Sequence, residues 1–281
     1  MENILEISNL SKSYDGFKLD NLNLQLPYGC VMGVIGENGA GKSTTIKLIL
    51  DLVNKDSGSI KIFGKDYKSM IGLQKEEIGV VLDECHLPEK LNLAEIENVM
   101  KNMYTTWSKS HFANYVKKFS LPKKTLIKDY SKGMKMKLSI AIALSHNPKL
   151  LILDEATSGL DPVVRDQILD VFWDFVQDEG HSIFISSHIL SDLEKICDYV
   201  SFIHKGKLIF CERKDVLLEK YGILRCSEDD LKSISKTNII GYRKNTFSVE
   251  ALVLKDNIND KFVLDDASIE DIMLYHVRED I

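Results

Sequence analysis

Val31-Met32-Gly33-Val34-Ile35 runs directly into Gly36-Glu37-Asn38-Gly39-Ala40-Gly41-Lys42-Ser43-Thr44, and this junction decides the fold. Five apolar residues read as a buried strand, and residues 36–43 form a complete GxxxxGK[ST] phosphate loop opening a helix. Gly36, Gly39 and Gly41 let the backbone curl tightly, so that its N–H groups converge on an anion without an intruding Cβ. Glu37, Asn38 and Ala40 complete the loop, and Thr44 continues into the helix. Lys42 is expected to reach the β- and γ-phosphates and the Ser43 hydroxyl to bind Mg²⁺, with the helix directing its positive end at the same anion. A strand–loop–helix of this kind predicts an α/β chain that binds a nucleoside triphosphate.

Outward from the loop, the chain divides into regions of different period. Leu22, Leu24 and Leu26 alternate with Asn21, Asn23 and Gln25, which predicts a half-buried antiparallel strand. Residues 59–63 and 78–82 read as further strands, the second of them buried. From about Glu89 to Asn147 the pattern becomes helical. Leu93, Ile96, Val99, Met100 and Met103 fall at helix spacing, as do Phe112, Tyr115, Val116 and Phe119. A third helix is predicted from an N-cap at Ser131 to about Asn147, ahead of Pro148. Leu150-Leu151-Ile152-Leu153 then reads as a central parallel strand. Asp161-Pro162 opens a helix with a cap and a proline in its first turn, and Gly180 is expected to end it. Ile183-Phe184-Ile185 is a buried strand, and residues 199–210 a hairpin turning at Lys205-Gly206. After about Arg213 the patterns weaken, so residues 214–281 are expected to form a small C-terminal appendage.

The bulk properties exclude several classes. A net charge of -6 gives no general attraction to nucleic acid. Locally, ten lysines and a single acid, Asp129, lie between Lys101 and Lys137. That face suits an anionic lipid surface, RNA or an acidic partner, or is simply solvated. Cys30, Cys85, Cys197, Cys211 and Cys226 are odd in number with no CxxC pair, which argues against a disulfide framework or zinc site and suits a reducing cytosol. The first residues show no signal-peptide pattern, and no apolar run approaches the ~20 residues a membrane span needs. Work at a membrane would therefore require another chain to cross it.

Five further features carry chemistry. Asp154-Glu155 ends the strand at Leu153: Asp154 is placed to complete the Mg²⁺ shell begun by Ser43, and Glu155 to orient and deprotonate an attacking water. Tyr130-Ser131-Lys132-Gly133-Met134, at the start of a helix, resembles the signature motif of the ATP-binding cassette (ABC) ATPases. Ser158-Gly159-Leu160-Asp161 resembles that family's D-loop, and His188 after Ser186-Ser187 its switch histidine. Tyr14 stands where the family places a ring that stacks on adenine. The order and separation of the motifs match as well, over roughly residues 4–215.

The resemblance implies an α/β P-loop NTPase fold of the ABC ATPase type, with a mixed parallel core sheet, an N-terminal antiparallel β subdomain and an inserted helical subdomain. It implies a nucleotide-binding domain over 1–213, with the helical insertion at about 89–147. ATP and Mg²⁺ are its cofactors, and Ser131, Gly133 and Asp161 meet ATP held by a second ATPase subunit in a homodimer or heterodimer. It further implies a separate transmembrane permease, a position on the cytoplasmic face of the membrane, and an exporter similar to the bacitracin-resistance and peptide-efflux type. The alternative is a soluble ABC ATPase clamping nucleic acid, ribosome or an assembly partner, for which paired cassettes in one chain or long coiled coils are missing. Two positions depart from the family. Asp83 stands where glutamine is usual, adding charge near the γ-phosphate, followed by Glu84. Lys132 replaces a glycine, and its side chain either assists phosphate binding or points to solvent.

Overall fold

Alternating leucines build the first layer of the computed structural model, which describes residues 2–246, 248–259 and 261–278. β1 (Asn3–Tyr14) and β2 (Phe17–Pro27) form a hairpin in which Leu19, Leu22, Leu24 and Leu26 are buried. Then come β3 (Val31–Ile35), α1 (Lys42–Ile49), β4 (Ser57–Ile62) and β5 (Lys65–Asp66). β4 pairs antiparallel with β1, giving a four-stranded sheet of order β2-β1-β4-β5.

After α2 (Gly72–Glu76) and β6 (Ile78–Val81), the chain builds three helices: α3 (Leu93–Met103), α4 (Lys109–Lys118) and α5 (Lys132–Ser145). Each has a side-chain N-cap: Asn92 in a reciprocal box with Glu95, then Ser108, then Ser131. Leu93, Ile96 and Met100 of α3 join Phe112 and Val116 of α4 and Leu138 of α5 in one core. The stripe on α3 is narrower than its spacing suggested. Val99 and Met103 lie on the solvent side of the helix.

β7 (Leu150–Asp154), α6 (Pro162–Phe175), β8 (Ser182–Ser186), α7 (Leu190–Ile196), β9 (Tyr199–His204) and β10 (Lys207–Arg213) complete a six-stranded sheet of order β10-β9-β3-β8-β7-β6. Its neighbours run parallel except β9 and β10, so the sheet is mixed as expected. Three expectations need correcting. β6 is an edge strand rather than a fully buried one, with Val80 turned out from the core. The strand expected at 59–63 begins at Ser57 and ends at Ile62, and Phe63 takes a left-handed turn at φ 52°. α6 stops at Phe175, where its apolar stripe runs out, and Gly180 belongs to a separate turn closed by the Asp178 carboxylate at 2.9 Å.

The last part of the chain is more regular than its composition suggests. α8 (Lys214–Lys220), β11 (Tyr221–Cys226), α9 (Glu228–Lys232), β12 (Ile239–Lys244), β13 (Val249–Leu254), β14 (Leu264–Asp266) and α10 (Ile269–His276) form an antiparallel sheet of order β12-β13-β11-β14 with helices against it. Tyr221, Ile223 and Leu252, with Ile269 and Ile272 of α10, bury into the same core as α6 and α7. Leu224, Val249, Ala251 and Val253 form a small core of their own with Leu231. Among the described residues no helix is long and apolar enough to cross a membrane.

Candidate functional site

Gly41 is the N-cap of α1 at φ 117°, contributes no side-chain cap, and is followed by a first turn without acids. The N–H groups at this helix end therefore remain available to an anion. The loop before it is held from behind by the β9–β10 turn, where the Gly206 N–H donates to the Ala40 carbonyl at 3.0 Å. Lys42 is buried and folds back along the loop. Its Nζ donates to the carbonyls of Gly36 at 2.8 Å and Glu37 at 3.3 Å, and lies 3.4 Å from Glu155 Oε1.

Adjacent parallel strands supply the acidic wall. β7 and β8 pair with Asp154 opposite Ser186 at their C-terminal ends. Ser186 Oγ donates to Asp154 Oδ1 at 2.5 Å, and Ser43 Oγ donates to the same oxygen at 3.1 Å. Burial is the largest influence on Asp154 and holds its carboxyl above the usual carboxylate range. The two hydroxyls oppose that shift, while the negative charges of Asp83 and Glu155 add to it. Directly after the strand, Glu155 adopts φ 51°, left-handed for a non-glycine residue, and its N–H donates to the Ser186 carbonyl at 3.1 Å. Its side chain thereby meets Lys42 through one oxygen and His188 Nδ1, at 2.6 Å, through the other.

One cavity of about 1180 Å³ has Lys42, Ser43, Asp83, Glu155, Ser158 and His188 in its wall. Glu37, Asn38, Gly39, Gly41 and Thr44 line it too; Gly36 and Ala40 lie behind the loop. Ser43, Asp154 and Asp83 offer oxygen donors only, a set that fits a small hard cation. Asp83 is exposed, with Glu84 and Cys85 beside it on the wall. Tyr14 is 44% exposed at the end of β1, its ring centroid 6.5 Å from that of Phe17, and it is Gly16 and Phe17 that line the cavity.

The other predicted residues stand elsewhere. Ser131 caps α5 by accepting from the Met134 N–H at 3.2 Å, Asp161 caps α6 by accepting from Val164 N–H at 3.0 Å, and Gly133 lies against Val164 and Leu160. None of the three lines the cavity beside this chain's own phosphate loop. Lys132 does, and it remains exposed, with its ammonium lying over Gly159. Sequence reasoning missed Ser186, Phe17 and the Gly206 support. Ser186 was visible only as the approach to His188, because its pairing with Asp154 exists only once β7 and β8 are neighbours.

Comparison with known proteins identifies the family. The ABC transporter family model matches residues 19–158. The lantibiotic transport ATP-binding protein SrtF of Streptococcus pyogenes is 41% identical over 215 residues, which cover 75% of this chain and 92% of that protein. The bacitracin transport ATP-binding protein BcrA of Enterococcus faecalis is 35% identical over 212 residues, covering 74% and 69% respectively. The solved structure of an ATP binding subunit of an ABC transporter is similar at a TM-score of 0.68 and 29% identity, covering 75% of this chain and 90% of that one. The chain belongs to the ABC transporter family, as an ATP-binding and ATP-hydrolysing subunit.

Proposed function

We propose that this ATPase sits at the cytoplasmic face of a membrane and drives a separate permease that exports an antibiotic-like peptide. The cargo class follows the lantibiotic and bacitracin transport named for SrtF and BcrA. One observation carries the catalytic part of the reading: Glu155 holds Lys42 with one carboxylate oxygen and His188 with the other. In this reading Lys42 moves its charge to the β- and γ-phosphates, leaving Glu155 to accept a proton from the water that attacks the γ-phosphorus. The bond from that phosphorus to the bridging oxygen of ADP breaks as the water oxygen bonds. His188 fixes the Glu155 carboxylate, and Tyr14 stacks on adenine at the rim. Ser43 and Asp154, with Asp83, would hold Mg²⁺, which would supply neutralisation of the phosphate charge.

The same reading makes the working unit a head-to-tail pair of ATPase subunits. Ser131, Gly133 and Asp161 then meet nucleotide carried by the mate, which accounts for their absence from the wall of their own chain's cavity. The permease is assigned to the outer side of α2 and α3. Ile71, Leu73 and Met103 are between 60% and 66% exposed there, and Glu76 of α2 accepts from the Thr105 N–H just beyond α3 at 2.8 Å, joining the two helices.

The test is Glu155→Gln, assayed for ATP binding and turnover separately. Turnover is expected to fall by roughly 10²–10⁴-fold while ATP affinity is kept and the subunit pair persists. A variant that hydrolyses ATP as fast as the parent sinks the reading.

A further inference from the structure

Two cavities adjoin at the end of β12, and their walls have opposite character. The first, of about 280 Å³, lies between α9 and β12 and has Leu231, Ile234, Ile239 and Tyr242 in its wall. Leu231 belongs to the small core of the C-terminal sheet, and the other three pack against it. Those three are only partly buried, so the cavity keeps an apolar surface open to water. Lys232, Lys236 and Lys244 stand in the same wall with a single acid, Glu228. The second cavity, of about 480 Å³, is cationic, with Tyr242, Arg243, Lys244 and Arg278 around it. Tyr242 and Lys244 are common to both.

Some of these charges are already answered within the chain. Glu228 pairs with Lys244 at 3.3 Å and Asp229 with Lys232 at 2.9 Å. Lys236, in the single turn Lys236–Asn238, has neither ion pair nor hydrogen bond among the described residues, and the same holds for Arg243 and the Tyr242 hydroxyl. Arg278 has a ring contact, its guanidinium 5.2 Å over Tyr275. An exposed cation by itself needs no ligand. Here five cations and one carboxylate border an apolar cavity. An inorganic anion would answer the cations and leave the apolar wall wet, and a neutral apolar molecule would do the reverse. Ligand sites combine mostly apolar walls with a few polar groups that fix orientation, and a volume just under the usual ~300 Å³ suits a short chain.

We propose that the end of β12 binds a single-chain amphiphile with an anionic head group. Its apolar chain occupies the cavity between Ile234 and Ile239, and its carboxylate or phosphate sits among Arg243, Lys244 and Arg278. The planar fork of arginine matches either head with two parallel hydrogen bonds. Tyr242, common to both cavities, donates its hydroxyl to the same head. The site shares no wall residue with the nucleotide cavity. It lies on the sheet face of Leu224 and Ala251, whereas Ile223 and Leu252, alternating with them, bury into the core of α6 and α7. Binding there is therefore separable from ATP binding.

The experiment titrates the full chain with decanoate and with decyl phosphate, both below micelle-forming concentrations, by calorimetry. Saturable binding of one molecule per chain is expected, weakened by salt. Decylamine, which reverses the head charge, and inorganic phosphate, which lacks the chain, are each expected to bind at least ~10-fold more weakly. Tyr242→Phe is expected to lose roughly 2- to 10-fold in affinity, the scale of one hydrogen bond. Lys236→Gln with Arg243→Gln is expected to lose as much and to flatten the salt dependence. Ile234→Glu is expected to abolish binding by setting a carboxylate in the apolar wall. ATP affinity is expected to hold in every variant, since none of these residues lines the nucleotide cavity. Lys236 and Arg243 are exposed, so their double variant stays informative should Ile234→Glu fail to fold. Absence of saturable binding, equal affinity for decylamine or inorganic phosphate, or full affinity in the double variant overturns the proposal. So does binding to phosphatidylglycerol vesicles that decanoate fails to displace, because the head would then be read at a bilayer surface instead of in these cavities.

Discussion

A methyl group at Gly36 would sit 2.3 Å from the carbonyl oxygen of Ile203, whereas one at Gly39 would meet nothing within 4 Å. The two glycines of one loop therefore serve different ends. Gly39 is needed for its backbone angle, φ 80°, and Gly36 for the close approach of β9 behind the loop. Gly39→Ala is expected to cost about 1–2 kcal/mol of backbone strain. Gly36→Ala must push the loop off β9, at about 1–3 kcal/mol of overpacking, and the displacement moves the N–H groups that would hold phosphate. ATP titration calorimetry should show Gly36→Ala losing at least as much affinity as Gly39→Ala; the reverse order would refute the packing argument. The phosphate loop was legible in sequence because its chemistry is contiguous: residues 36–44 make their own anion site. Ser186 and Phe17 were not, because each meets residues brought to it only by the fold. Ser186 reaches Asp154 across two strands.

At the scale of elements, the ends proved as informative as the interiors. Ser131, Asp161 and the Asn92–Glu95 box cap their helices, and the Ser131 and Asp161 caps were readable because such signals lie within four residues. The end of α5 was legible only in part, since what holds it comes from elsewhere. His146 is buried there, its ring stacked on Tyr104 at 4.2 Å and its Nδ1 2.8 Å from the Glu76 carbonyl oxygen. Burial holds its pKa below the usual 6.5, with the hydrogen bond and charge of Glu76 opposing the shift. The unfolded chain therefore takes up a proton on this residue as pH falls through about 6.5, while the folded chain waits for a lower pH. Stability from His146 is full above that point and is lost as the solution is acidified toward the folded value. His276 shifts in the same direction, again mainly through burial. Urea midpoints measured between pH 7 and 5 should fall, and His146→Gln should flatten that slope. An equal slope in the variant would mean that the pH dependence has another source.

For the whole molecule, the question is which face meets the permease. The lysine-rich stretch offered one answer, but the fold disperses it. Lys118 pairs with Asp174 at 2.8 Å, Lys135 with Glu89 at 3.2 Å, and Lys137 is buried with its ammonium 2.7 Å from Gln167 Oε1. Charge alone is also a weak glue, since exposed ion pairs contribute ~0–1 kcal/mol and are screened by salt. The apolar side chains on α2 and α3 are a stronger candidate. Each is worth about 1.5–3 kcal/mol when fully buried, and Ile71, Leu73, Val99 and Met103 stay at least one-third exposed. Sequence periodicity assigned Val99 and Met103 to the core stripe of α3, because spacing cannot tell a side chain buried in its own chain from one kept for another. Leu73→Glu with Met103→Glu should therefore leave ATP affinity intact while abolishing co-purification with the permease from native membranes and its stimulation of turnover. Retention of the complex by the double variant would place the contact elsewhere. In that case the exposed lysines Lys117, Lys123 and Lys124 become the surface to change next, and salt-sensitive dissociation of the unaltered complex would be its mark.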